Sequence, residues 1–186
     1  IDVSFNPGGV GARTATLDIE LNNDPTAEAV PNVAATGTGG QSVLTFGTTS
    51  PFNLGAAPVG GSVSSTLQVR NRSVDGATLP LNVTQATLSG IHVLDFAFTD
   101  HGCSGQTCTT PLSLAVDATD AYGLRCTPSA SGTRTVTLTV TSDDAVSTSR
   151  TITLTCTGVP PTLTVAPTSV AFARNPMLIA NLGWDL

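Results

Sequence analysis

The chain contains no lysine, and its seven bases are all arginine, at positions 13, 70, 72, 125, 134, 150 and 174. Chemistry that needs a side-chain amine is therefore excluded: Schiff-base catalysis, a phosphate-loop lysine and lysine–asparagine isopeptide cross-links would have only the chain terminus to draw on. Charge of either sign is scarce, at 11% of residues where a soluble domain usually has about a quarter. The balance is acidic, with a pI near 4.5, so nucleic acid and anionic lipid are repelled and excluded as primary partners. With one Trp, one Tyr and two His, the chain has few aromatic platforms for sugars. No apolar run reaches the 18 or so residues of a membrane helix, although the mean hydropathy is +0.21.

Polarity comes instead from hydroxyls, since Thr and Ser together supply 47 of 186 residues. β-Branched Thr fits a pleated surface and leaves its hydroxyl in water. In Thr135–Thr141 every second residue is apolar, and Thr151–Cys156 repeats the pattern, which marks half-buried strands. Ser65–Val69, Leu79–Val83, Asp95–Phe98, Tyr122–Cys126, Val3–Phe5 and Ala15–Ile19 read similarly. Gly60-Gly61, Asp75-Gly76, Pro128 with Gly132, and Asp143-Asp144 supply the turns. No helical period is present. About seven short strands in one unit predict an all-β fold, an antiparallel β-sandwich.

Ile1–Gly37 aligns without a gap on Tyr122–Gly158, at an offset of 121, with eight identities. These are Pro7/Pro128, Gly11/Gly132, Arg13/Arg134, Thr14/Thr135, Thr16/Thr137, Leu17/Leu138, Thr36/Thr157 and Gly37/Gly158. A shorter echo, Leu44-Thr45-Phe46 with Leu163-Thr164-Val165, is spaced by 119. The phase predicts a complete unit over residues 41–158, the C-terminal half of a preceding unit over 1–38, and over 161–186 the start of a following unit or a strand-donating tail.

Val3-Ser-Phe-Asn-Pro7, Gly11, Thr14–Ile19, Asn23-Asp-Pro25 and Ala35-Thr-Gly-Thr-Gly39, echoed at Arg125–Pro128, Gly132, Thr135–Val140 and Thr155–Gly158, carry a resemblance. The sequence resembles the ASH or Hydin-type immunoglobulin-like repeats of bacterial choice-of-anchor surface proteins, distant relatives of the major sperm protein and PapD-like fold. Asp95-Phe96 and Cys103-Ser-Gly105 look like that family's middle section, whereas Asp143-Asp-Ala145 departs from its Asn-Asp-Pro turn. The resemblance implies a non-enzymatic module of secreted or surface proteins, with no catalytic residue to carry over.

The four cysteines permit three pairings. In the ungapped alignment Cys126 takes the place of Phe5 and Cys156 that of Ala35, so a large–small contact exchanged for two thiols predicts a Cys126–Cys156 disulfide. Cys103 and Cys108, with Ser-Gly-Gln-Thr between them, would close a small ring. The chain-entropy relation gives roughly 3–4 and 2 kcal/mol for these closures. The family resemblance instead favours Cys103 with Cys126. Any of these bonds places the protein outside a reducing cytosol.

Other candidate chemistry has a structural reading beside it. His101, Cys103 and Cys108 have zinc-like spacing but no local fourth ligand, and a disulfide would abolish the site. Asp117, Asp120, Asp143 and Asp144 sit in turns that favour Asp, without the run of acids a calcium loop needs. His92 and His101 lack the Gly-x-Ser-x-Gly elbow of a hydrolase. Tyr122 shares the inward phase of Leu124 and Cys126, Trp184 lies in a tail without clear register, and Asn71 and Asn82 head glycosylation sequons. The expected function is a non-catalytic structural or adhesive repeat of a secreted bacterial or cell-surface protein, spacing or presenting other domains, with no metal or cofactor. Its partners would be proteins or cell surfaces, with open strand edges on residues 1–38 available for self-association. Two other readings stand beside it: an accessory domain of a secreted hydrolase, and a fibre subunit accepting a strand such as 163–172 from a neighbour.

Overall fold

The computed structural model describes residues 2–7, 9–17, 33–162 and 169. Alternation of apolar and hydroxyl side chains settles most of the chain into strands. A hairpin comes first, β1 (Gly11–Leu17) with β2 (Val33–Gly39). Then follow β3 (Thr45–Phe46), β4 (Phe52–Pro58), β5 (Val63–Asn71), β6 (Leu81–Ser89), β7 (Phe96–Phe98), β8 (Thr107–Cys108), β9 (Leu112–Leu114), β10 (Ala118–Cys126), β11 (Gly132–Ser142) and β12 (Ser149–Val159). Ten strands thus build the unit that the sequence divides into about seven. Val3–Phe5, expected as a strand, has no strand structure.

One sheet has the order β3-β5-β10-β7, and the other runs β4-β12-β11-β6-β8, with β9 also pairing β6. All pairs are antiparallel except β4, which lies parallel to β12. The two sheets form a sandwich because one face of each strand is apolar. On β11 and β12, Val136, Leu138, Val140, Ile152, Leu154 and Cys156 are buried. Between them Thr135 faces Thr155, Thr137 faces Thr153 and Thr139 faces Thr151, a ladder of hydroxyl pairs on the outer face. The opposing sheet contributes Leu67, Val69, Tyr122 and Leu124. Phe98 meets Tyr122 edge to face at 5.6 Å. Each fully buried Leu or Val contributes roughly 1.5–3 kcal/mol, so this shared interior is the principal source of stability. Tyr122, assigned inward from its phase, is 1% exposed.

The chain enters the sandwich at one end and leaves it at the other. Gln41 is held at the first end by Thr78 and Gly76, and Ser42 by the carbonyl of Asp143. β12 then runs the length of its sheet to Val159, whose carbonyl accepts from the Val59 N–H in the opposite loops.

A buried amide ties the first end together. Asn71 is fully buried; its Oδ1 accepts from the Val43 N–H at 3.1 Å, while Nδ2 donates to the Leu79 and Leu114 carbonyls at 2.9 and 3.0 Å. The side chain that heads a sequon is therefore consumed by structure and closed to glycan attachment in the folded protein. Replacing it strands three backbone groups, each costing about 1–3 kcal/mol if left unpaired in the interior. Asn71→Ala is expected to lower the unfolding free energy by at least about 2 kcal/mol in a urea titration, whereas Thr137→Ala on the outer face changes it by less than about 0.5 kcal/mol.

Candidate functional site

The structure joins Cys103 to Cys108 and Cys126 to Cys156. Cys126 ends β10 in one sheet and Cys156 lies on β12 in the other, with Cα atoms 6.5 Å apart and both side chains buried. This bond therefore crosses the sandwich. The other closes a ring of six residues, with Cα atoms 5.1 Å apart, in the loop that carries β8. Cys103 and Cys126, the pair suggested by the resemblance, are not bonded to each other.

Beside the small ring, His101 sits with a φ of 55°, the left-handed region. Its Nδ1 is 2.9 Å from Asp100 Oδ1 and its Nε2 is 3.2 Å from Asp120 Oδ2. The ring lies against Tyr122 with centroids 5.2 Å apart. Asp100 also accepts the Gly123 N–H, and Asp120 the Ala121 N–H at 2.7 Å. Hydrogen bonding to Asp100 raises the histidine above its ordinary value, partial burial opposes the rise, and Asp120 adds to it. Burial and the two carboxylates push Tyr122 up to about 12. Both imidazole nitrogens are thus engaged, and both neighbouring sulfurs are in a disulfide, so the His101, Cys103 and Cys108 set offers no zinc ligands. Among the described residues no group of three potential ligands is arranged to hold a metal ion.

The turn aspartates are committed to the protein itself. Asp144, 1% exposed, accepts the N–H groups of Leu44, Val146 and Ser147 at 2.9, 2.8 and 3.1 Å, and pairs with Arg150 at 3.2 Å. Burial disfavours its charge, but these donors prevail and hold its carboxyl below the ordinary value. Asp143 accepts from the backbone and side-chain nitrogens of Asn82, the second sequon asparagine. Asp117 accepts from the N–H and hydroxyl of Ser73. Each of these three thus anchors a loop; Asp120, expected in a turn, lies instead within β10, where it faces His101.

At the other end of the sandwich, Asp95 is buried and accepts the Ser129 N–H at 3.2 Å. Arg134 Nε lies 3.1 Å from Asp95 Oδ2, an ion pair by distance; its angles miss a hydrogen bond, and neither atom has another hydrogen-bond partner. The sequence names Asp95 only as part of a motif and does not predict its pairing with Arg134. The ungapped alignment pairs Arg134 with Arg13 and contains no sign of the carboxylate. His92, placed in a loop ahead of Asp95, accepts the Thr135 N–H at 3.0 Å. Trp184, and 163–172 apart from Ser169, lie outside the described residues.

The N-terminal hairpin has the same local geometry as β11–β12, with one correction to the alignment. Gly11 and Gly132 have φ of 95° and 93°. Gly11 faces Gly39, and Gly132 faces Gly158. A Cβ on Gly39 would strike the Gly9 carbonyl, and one on Gly158 the Ala130 carbonyl. The offset is therefore 121 through β1 but 119 in β2, and a two-residue difference lies in the connection between them. Cys156 consequently corresponds to Gly37, not to Ala35. The Phe5 ring lies over Gly37, with its Cζ 2.6 Å from where a Cβ would stand. A large–small contact thus occupies the place of the Cys126–Cys156 bond.

No protein-family model matches the chain, and no curated protein sequence does. Among solved structures, the chain is similar to the ASH/PapD-like domain 7 of human CEP192, with 11% identity, a TM-score of 0.43, and coverage of 74% of this chain and 100% of that one. It is also similar to a protein of unknown function from Porphyromonas gingivalis W83, with 10% identity, a TM-score of 0.47, and coverage of 82% and 68%. For the VesB protease of Vibrio cholerae the identity is 19% and the TM-score 0.46, over 61% of this chain and 31% of that one.

Two outcomes follow from this geometry. Since the His101 value is raised on folding, its contribution is complete below about pH 6.5 and is lost as pH rises through the folded-state value. The melting temperature is expected to fall over that interval, and His101→Asn, which tolerates the left-handed backbone, should flatten the profile. Converting Cys126 and Cys156 together to Ala should cost about 3–4 kcal/mol, against about 2 kcal/mol for Cys103 with Cys108, as read by denaturant unfolding without reductant.

Proposed function

We propose that this chain is a non-catalytic, immunoglobulin-like structural module of a secreted or cell-surface protein, one link in a tandem array that spaces or presents other domains. The observation that carries the reading is the path of the chain, which enters the sandwich at Gln41 and leaves at the opposite end at Val159. Units joined in that way stack end to end and extend with each addition. Gly39-Gly40 and Val159-Pro160-Pro161 are the joints, short enough for sterics to restrict their bending. Gly40 packs closely on Leu79 and Thr78, so the first joint is seated on the sandwich.

Three further features support the reading. The titratable side chains that sequence suggests for chemistry are held by protein groups, as described above. Two disulfides suit an oxidising compartment. No helix among the described residues is long and apolar enough to cross a membrane. A hydroxyl-covered outer face such as the Thr ladder keeps the module hydrated although only 11% of its residues are charged.

The test is fractionation of the producing cells, followed by peptide mapping without reduction. The expected result is recovery in the extracellular or surface fraction, with Cys103–Cys108 and Cys126–Cys156 both linked. Recovery in the cytoplasmic fraction with four free thiols contradicts the proposal.

A further inference from the structure

The hairpin presents what is an interior surface in the complete sandwich. Through the offsets fixed by strand register, Ala15 and Leu17 correspond to Val136 and Leu138, and Val33 and Ala35 to Ile152 and Leu154. Val3 and Phe5 correspond to Leu124 and Cys126. All six counterparts are buried between the two sheets. Val3 and Phe5, ahead of the hairpin, and Val33 within it are 66%, 53% and 50% exposed, and a cavity of about 310 Å³ opens among Val3, Phe5, Ala15 and Ala35. An apolar face of this kind on a two-stranded hairpin has no stability of its own in water.

The charge at its edge says what covers it. Arg134 reaches the buried carboxylate of Asp95, which belongs to the segment between β6 and β7. Arg13 occupies the Arg134 position on the hairpin. Among the described residues, its side chain has one hydrogen bond, a 3.4 Å contact with the Val10 carbonyl three residues away. The matching partner therefore combines an aliphatic sheet face with a carboxylate at the level of Arg13. In the complete unit both belong to one stretch of chain, residues 42–121, which ends four residues into β10; the rest of β10, from Tyr122, leads into the β11–β12 hairpin. Val3 and Phe5, in the positions of Leu124 and Cys126, continue into this hairpin in the same way.

We infer that the face formed by Val3, Phe5, Ala15, Leu17, Val33 and Ala35 binds a β-sheet of the 42–121 type within the same polypeptide, closing a second sandwich in which Arg13 pairs with the incoming aspartate. This rests on the tandem-array reading and names the partner of its first half-unit.

The experiment joins a copy of residues 42–121 directly to Ile1 of the full chain. Ala15→Cys is the inner-face reporter and Thr16→Cys the outer-face control, both labelled with a soluble maleimide. The expected result is labelling of Ala15→Cys at least about 100-fold slower in the fusion than in the chain alone, a protection factor corresponding to about 2.7 kcal/mol, with Thr16→Cys unchanged. Arg13→Glu in the fusion should restore fast labelling, and Asp95→Arg in the added copy should slow it again. Equal labelling of Ala15→Cys with and without the copy overturns the inference. So does protection that needs no copy and grows with protein concentration, which would make a second whole chain the occupant. Neither outcome depends on where the protein resides, so failure here is distinguishable from failure of the surface-module reading.

Discussion

Burial of every second side chain between two sheets is the constraint on which the structure depends. In β11 and β12 the inward positions are Val, Leu, Ile and Cys, and the outward ones are almost all Thr. A side chain at the wrong parity would put a hydroxyl in the interior and an aliphatic group in water, so the register of the central strands has one solution. The cross-sheet disulfide is built on the same parity, since Cys126 and Cys156 both occupy inward positions. The hairpin β1–β2 obeys it as well, without a second sheet over it among the described residues.

Where the parity rule ends, buried polar groups take over. Asn71, Asp144 and Asp95 are buried at 0%, 1% and 7% exposure, and each satisfies loop or strand-end groups that neither sheet can pair. Asn71 and Asp144 hold the end where the chain enters, and Asp95 with Arg134 and Ser129 holds the end where it leaves. Three or more hydrogen-bond partners apiece offset the desolvation of Asn71 and Asp144, and for Asp95 the Ser129 N–H and the Arg134 guanidinium do so. Side chains that look available for chemistry in the sequence are therefore part of the scaffold, and the functional reading rests on shape and connection.

The long alternating strands were legible because a period of two over seven residues has no competing explanation. β3, β8 and β9 were not, since two or three residues carry no period. β4 hid for a different reason: Phe52-Asn-Leu-Gly-Ala-Ala-Pro58 contains a glycine at φ 115° and ends in proline, which reads as turn but forms a parallel edge strand. The register of β2 was misread because Thr36-Gly-Thr-Gly39 matches Thr157-Gly158 equally well in two phases two residues apart. Only the close packing of Gly39 on the Gly9 carbonyl chooses between them. Asn71 was visible as a sequon, a pattern that says nothing of burial, and its role depends on three segments brought together by the fold.

Amide hydrogen exchange on the full 186-residue chain, resolved by strand, tests most directly the claim that one sandwich is complete while the hairpin displays an uncovered core face. The account predicts protection approaching the global unfolding free energy in β5, β10, β11 and β12, and exchange orders of magnitude faster in β1 and β2. Protection in β1 and β2 equal to that in β11 and β12, in a chain that sediments as a monomer, would contradict it.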